Sequence, residues 1–175
     1  FGDAGAIVTN DARILEDVKV FRNYGSEKRY YNKVVGTNSR LDEMQAGLLR
    51  VRLSHIQEIT AEKRSIAEEY TRSLDNPRIQ LPTVRQHATS VWHQYVIRCH
   101  ERDRLQAYLK ELGIGTIIHY PIPPHLAEAY RNLGYHEGDF PITEQYAHEV
   151  LSIPIYNGMT SQEQEYVIDK LNAFR

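Results

Sequence analysis

The chain has 175 residues, 41% of them hydrophobic, a formal charge of -2 and a single cysteine. That is apolar material enough for one large domain or two small ones, while intermixed charges make no case for binding nucleic acid or an acidic membrane. Cys99 alone excludes an internal disulfide, and no CxxC or Cys/His cluster offers a metal site. With no signal-peptide pattern and no apolar run of bilayer length, a soluble cytoplasmic protein is the default expectation.

The opening FGDAGAIV reads like a chain entered midway through a fold, so a fragment of a longer protein is expected. Residues 6–9 (AIVT) are apolar and short, which predicts a buried strand. Asn10-Asp11 can cap a following helix with Ile14, Val18 and Phe21 on one face and Gly25 beyond its end. Strand followed by helix suggests α/β architecture. Residues 22–35 carry three tyrosines and several cations without a period, which predicts a long loop.

The longest periodic run covers residues 36–74. Leu41, Met44, Leu48, Val51, Ile59, Ile66, Tyr70 and Leu74 share a helical face, and Ser39 with Asp42 can serve as N-cap and first-turn acid. The preceding Gly36-Thr37-Asn38-Ser39-Arg40 is a polar loop with amide, hydroxyl and guanidinium donors. Leading into a helix, such donors suit a phosphate or another anion; the same residues also fit an ordinary capped helix entrance.

Asp75-Asn76-Pro77 breaks the pattern, and the polar stretch to Ser90 predicts a domain boundary, with bodies over residues 1–74 and 75–175. Residues 91–99 (VWHQYVIRC) alternate as a strand, with His93 read as structural within it and Cys99 as a buried, inert thiol. Residues 102–112 form a helix on Leu105, Leu109 and Leu112, stopped by Gly113. Residues 115–120 (GTIIHY) predict a strand ended by Pro121-Ile122-Pro123-Pro124. Short helices follow over 126–133, closed by Gly134, and over 142–151, closed by Pro154, with a turn-rich GYHEGDFP between them. Thr160-Ser161 opens the last helix with Glu163 placed for a capping box and Val167, Leu171 and Phe174 on one face. The second half thus reads as a small α+β domain.

His119, Tyr120 and His125 form the candidate chemical constellation, because a strand stopped by prolines presents its last polar side chains at an edge or cleft. An imidazole and a phenol there can exchange protons with a ligand; hydrogen-bonded packing is the alternative. No GxSxG, P-loop or GxGxxG fingerprint occurs.

In GDAGAIVTND, RNYGSEKRYYNKVVGTNSRLDEMQAGLLRVRL, WHQYVIR, GIGTIIHYPIPPHLAEAY and GDFPITEQYAHEVLSIPI the chain resembles the C-terminal part of pyridoxal-phosphate-dependent nucleotide-sugar aminotransferases of the DegT/StrS group. The resemblance covers essentially the whole chain, and its RNYGS, GTNSRLDEMQA and HYPIPPH forms are most similar to enzymes that aminate C3 of a dTDP-linked 3-oxo-6-deoxyhexose. It implies an α/β fold-type I aminotransferase: the end of the large domain, built on a mixed, mainly parallel sheet, plus the small α+β domain. It implies pyridoxal 5'-phosphate as cofactor, glutamate as amino donor, and a cytoplasmic homodimer whose active sites are shared between subunits, serving amino-sugar synthesis for O-antigen or another surface glycan. Asn38 would reach the cofactor phosphate of the neighbouring subunit. Arg40 would line that interface, His119 and Tyr120 would approach the sugar as catalytic groups, and His125 is grouped with Arg40 as a substrate or interface contact. No metal is implied. The lysine that forms the Schiff base in this family is expected just before Phe1, as are the acid at the pyridine nitrogen and the aromatic stacked on the ring. The alternatives are a sugar 3-dehydratase of the same fold, in which histidine replaces that lysine, and a non-catalytic binding module.

Overall fold

The computed structural model describes residues 4–175; the first residues of GDAGAIVTND lie outside that range. By its internal contacts the chain divides between Ile56 and Gln57 into two compact bodies. The sequence places this division after residue 74. It falls earlier because the helix beyond Ile56 buries Ile66, Ala67 and Tyr70 in the core of the second body.

In the first body, residues 6–9 are not a strand. An extended segment becomes one only beside a partner that takes its backbone hydrogen bonds, and no described residue supplies one. α1 (Ala12–Phe21) is capped by Asp11, whose carboxylate accepts from the Arg13 amide at 2.8 Å. The expected loop over 22–35 contains a small antiparallel hairpin, β1 (Ser26–Lys28) and β2 (Tyr31–Asn32). Two glycines make the hairpin possible. Gly25 has φ of +72°, and a Cβ on it would lie 1.8 Å from the Val34 carbonyl oxygen, so the backbone can cross there only where no side chain exists.

The periodic stretch is two helices, α2 (Glu43–Ser54) and α3 (Ile56–Ser73). The Ser54 hydroxyl donates to the Val51 carbonyl at 2.7 Å, a local bond that competes with the helical ladder and favours a bend. His55 leaves helical geometry at φ -106° and ψ 9°. The N-cap of α2 is Asp42 and not Ser39, because Leu41 adopts φ of +67° and turns the chain before the helix begins. Leu41, Met44, Leu48 and Val51 are exposed, whereas Ile66, Tyr70 and Leu74 are buried; the stripe is buried only in its second half.

The second body is built on the antiparallel pair β3 (Tyr95–Arg98) and β4 (Val150–Ile153). Single bridges from Gln80 to Arg98 and from Ile117 to Ser152 extend it on both sides. β3 is shorter than the alternation over 91–99 predicts, since Trp92 has φ of +46° and takes the chain out of extended geometry. Its inward face is as expected, with Tyr95, Ile97 and Cys99 buried. Burial also pushes the Cys99 thiol up, which suits an inert side chain. Residues 115–120 hold only the Ile117 bridge, so the predicted strand there is a single pairing. Residues 150–151, expected to end a helix, instead open β4: α5 (Pro141–Glu149) stops at Glu149 and the run VLSI pairs with β3.

α4 (Arg102–Glu111) and α6 (Ser161–Ala173) lie as expected, Gly113 at φ +75° after α4 and a Thr160–Glu163 capping box before α6. The segment over 126–133 is 3-10, in the turns Pro124–Leu126 and Glu128–Leu133, and Gly134 closes it in the left-handed conformation. The core gathers Tyr70, Tyr95, Ile97, Leu105, Leu109, Leu151 and Leu171, all essentially without solvent contact. Each such side chain contributes about 1.5–3 kcal/mol on burial. The Tyr70 hydroxyl donates to the Pro154 carbonyl at 2.8 Å. Burial, with Tyr156 and Tyr95 nearby, pushes its ionisation far above the ordinary phenol range, so it stays a donor. Asn76 donates from its amide to the Leu171 and Phe174 carbonyls, 2.8 Å each, closing the end of α6. Among the described residues no helix is long and apolar enough to cross a membrane, and no group of histidine, cysteine and carboxylates is arranged to hold a metal.

Candidate active-site elements

In the first body the donor-rich loop is stapled to the end of α1. The Tyr24 amide donates to the Thr37 carbonyl at 3.0 Å, Thr37 N to Phe21 O at 2.9 Å, and Ser39 N to Arg22 O at 2.9 Å. With its backbone so fixed, Asn38 stands exposed beside Asn23. Its Oδ1 accepts from Arg40 Nε at 3.1 Å, which leaves the Nδ2 donors for a ligand. The Arg40 guanidinium also sits over the Tyr24 ring, 5.6 Å from its centre, and the Arg40 carbonyl accepts from Arg22. Arg22, Arg40 and Lys19 border an open depression of about 510 Å³ that also includes Asp42 and Glu43. The surface of that depression is therefore mixed in charge; Asn38 is not part of its lining, and its amide is an exposed neutral donor of the adjoining loop.

In the second body His119 and Tyr120 follow the Ile117 bridge, immediately before the prolines. The rings meet edge to face at 5.4 Å, and the peptide bond between them is cis. His119 is half-buried with Nδ1 2.8 Å from the Ser152 hydroxyl; Tyr120 is 71% exposed. A cavity of about 150 Å³ opens beside them, walled by Ile117, His119, Ser152, Pro154 and Ile155 and by His93 and Gln94. His93 is thus exposed at the cavity wall rather than held within a strand. Sequence reading missed this wall because it ended α5 too late; the short apolar run before Pro154 was the available signal for a strand.

His125 does not join that cluster. Its Nε2 lies 2.9 Å from Glu144 Oε1 and its ring meets Phe140 at 4.8 Å. Glu144 also accepts the amides of Gly138 at 2.9 Å and Phe140 at 3.2 Å. Burial alone would raise the Glu144 carboxyl; the Gly138 amide, the imidazole and the Phe140 amide outweigh it and hold the group below the ordinary carboxylate range. His125 is a tie between the 3-10 turn and the start of α5.

A model of the DegT/DnrJ/EryC1/StrS aminotransferase family matches residues 1–172. The chain belongs to this family. A dTDP-3-amino-3,6-dideoxy-alpha-D-galactopyranose transaminase of Aneurinibacillus thermoaerophilus is 46% identical over 97% of this chain and 46% of its own length. A dTDP-3-amino-3,4,6-trideoxy-alpha-D-glucose transaminase of Streptomyces venezuelae is 42% identical over 99% of this chain and 46% of its own. The crystal structure of DesV from S. venezuelae, in complex with a ketimine intermediate, superposes with a TM-score of 0.91 at 40% identity, covering 94% of this chain and 45% of that one. The chain spans about half the length of the curated relatives it matches. As a DegT/DnrJ/EryC1/StrS chain it has the α/β fold expected of part of a sugar aminotransferase. The described residues supply two antiparallel pairs, and the mainly parallel sheet of the large domain is not among them.

Proposed function

We propose that this chain forms part of a pyridoxal 5'-phosphate-dependent aminotransferase acting at C3 of a dTDP-linked 3-oxo-6-deoxyhexose, with glutamate as amino donor. The observation that carries this reading is the family match over residues 1–172, joined to the dTDP-3-amino-sugar names of relatives that are 42–46% identical. The donor set fits the cofactor: Thr37, Asn38, Ser39 and Arg40 offer exposed neutral and cationic donors on a fixed loop, the chemistry a phosphate monoester requires. When bound, the cofactor supplies an electron sink for the carbon that gains or loses the amino group.

The residues of this chain have simpler tasks. Asn38 reaches the phosphate of the neighbouring subunit's cofactor through Nδ2, and Arg40 fixes Asn38 through its Oδ1 contact. His119 and Tyr120 orient the sugar at its reacting and adjacent oxygens, the half-buried imidazole and the exposed phenol serving as hydrogen-bonding groups. The first body acts as the end of the cofactor-binding domain and the second as the substrate wall. The reading includes a homodimer with shared sites, for which the exposed Tyr30, Met44 and Val51, 82%, 82% and 62% accessible, offer apolar contact surface. We place the reaction in the cytoplasm.

The test is an assay of the whole protein with glutamate against 3-oxo and 4-oxo dTDP-sugars. Amination of 3-oxo sugars is expected. Exclusive turnover of 4-oxo sugars removes the C3 assignment, and no amino transfer to any of them removes the reading.

A further inference from the structure

The imidazole of His119 is not free to turn. Its Nδ1 lies 2.8 Å from the Ser152 hydroxyl, and Ser152 is itself immobilised at 7% exposure in the middle of β4. One edge of its backbone pairs with Val96 of β3. On the other edge Ser152 N donates to Ile117 O at 2.8 Å and Ile117 N donates to Ser152 O at 3.2 Å. His119 stands two residues beyond Ile117, so it is the diagonal cross-strand neighbour of Ser152, a separation that a long side chain spans. The backbone that carries the hydroxyl is held between two neighbouring segments, while the ring it touches lies at the cavity wall.

We propose that Ser152 is a positioning residue for the transfer reaction: its hydroxyl anchors His119 Nδ1 so that Nε2 is the ring nitrogen presented to the sugar. The inference rests on the reading of His119 as a sugar contact. A serine hydroxyl either donates to or accepts from Nδ1. It therefore keeps the ring in place whether Nε2 carries a proton or a lone pair. Alanine at residue 152 leaves Nδ1 without this partner and the ring free to rotate about its side-chain torsions.

The test uses the whole, cofactor-loaded protein and two readouts: sugar turnover, and nitrogen NMR of 15N-histidine protein, with the His119 signals assigned by their loss in H119A. In S152A the Nδ1 signal of His119 is expected to move toward that of an imidazole nitrogen in water, as its serine hydrogen bond is lost. The kcat is expected to fall by roughly 10-fold or more, with KM for the sugar within about threefold of the original. S152T, which keeps the hydroxyl, should recover both the signals and kcat to within about threefold. S152A in an H119A background should be no slower than H119A alone. Unchanged His119 signals in S152A, or an equal loss of rate in both backgrounds, overturns the role of Ser152. If H119A leaves turnover unchanged, the sugar-facing reading of His119 falls, and the positioning role with it. If H119A slows turnover while S152A leaves the imidazole signals in place, only the role of Ser152 falls.

Discussion

Gly36 lies so close to Gly25 that a Cβ at residue 36 would stand 2.1 Å from the Gly25 amide nitrogen. This contact seats the hairpin on the end of α1 and so places the loop of Asn38. Gly36→Ala should cost about 1–3 kcal/mol through forced backbone movement. Thermal unfolding should show a lower Tm, and gel-filtered protein should retain less cofactor. A variant with native Tm and native cofactor content would show that the glycine contact does not set the loop.

Asn38→Ala removes the proposed phosphate donor without disturbing the backbone bonds that hold residues 37 and 39. A hydrogen bond to a charged group contributes about 1.5–3 kcal/mol, a loosening of roughly 10- to 100-fold. Cofactor affinity measured by titration into stripped protein is the check; unchanged affinity removes Asn38 from the cofactor site.

Arg102 is a buried cation with a structural purpose. Its guanidinium donates to the Ala147 carbonyl at 3.0 Å and the Val150 carbonyl at 3.3 Å, closing the junction between α5 and β4. Arg102→Met keeps the stem and removes the donors, leaving buried carbonyls unpaired at a cost of about 1–3 kcal/mol. The expected result is a lowered Tm. Because that junction leads directly to Ser152, kcat should fall as well. Native stability in this variant would mean that solvent replaces the guanidinium.

Glu144 gives a pH dependence with a definite sign. Its carboxyl is held below the ordinary value of 4.5, so its contribution is present above that pH and is lost as pH falls through the lower folded value. Glu144→Gln retains an acceptor for the amides but not the charge facing His125. The variant should be less stable than the native protein at neutral pH, and the two should converge in acid below about pH 4.5. Parallel unfolding curves from neutral pH to pH 3 would assign the clamp no electrostatic share.

The helices that carry their own boundaries were legible in sequence. Asp11 before α1, Gly113 after α4 and the Thr160–Glu163 box before α6 all act within a turn of the residues they cap, so local chemistry suffices to place them. The hairpin of β1 and β2 was not legible, because it rests on backbone approach at Gly25 and Gly36 rather than on any alternation of side chains. The strand β4 was missed for a related reason. A run of four apolar or small residues after a helix has no period long enough to separate continuation from pairing.

The sequence by itself determined the family, the polar loop at Asn38 and the proline-stopped segment ending in His119 and Tyr120, since motif order and chain-breaking residues are properties of the chain alone. Only tertiary structure decided that His125 turns to Glu144 while His119 turns to Ser152. Both histidines are equally polar as letters. Their partners come from residues 19 and 33 positions away, and a hydrogen bond between such distant residues forms only where packing brings their atoms within about 3 Å.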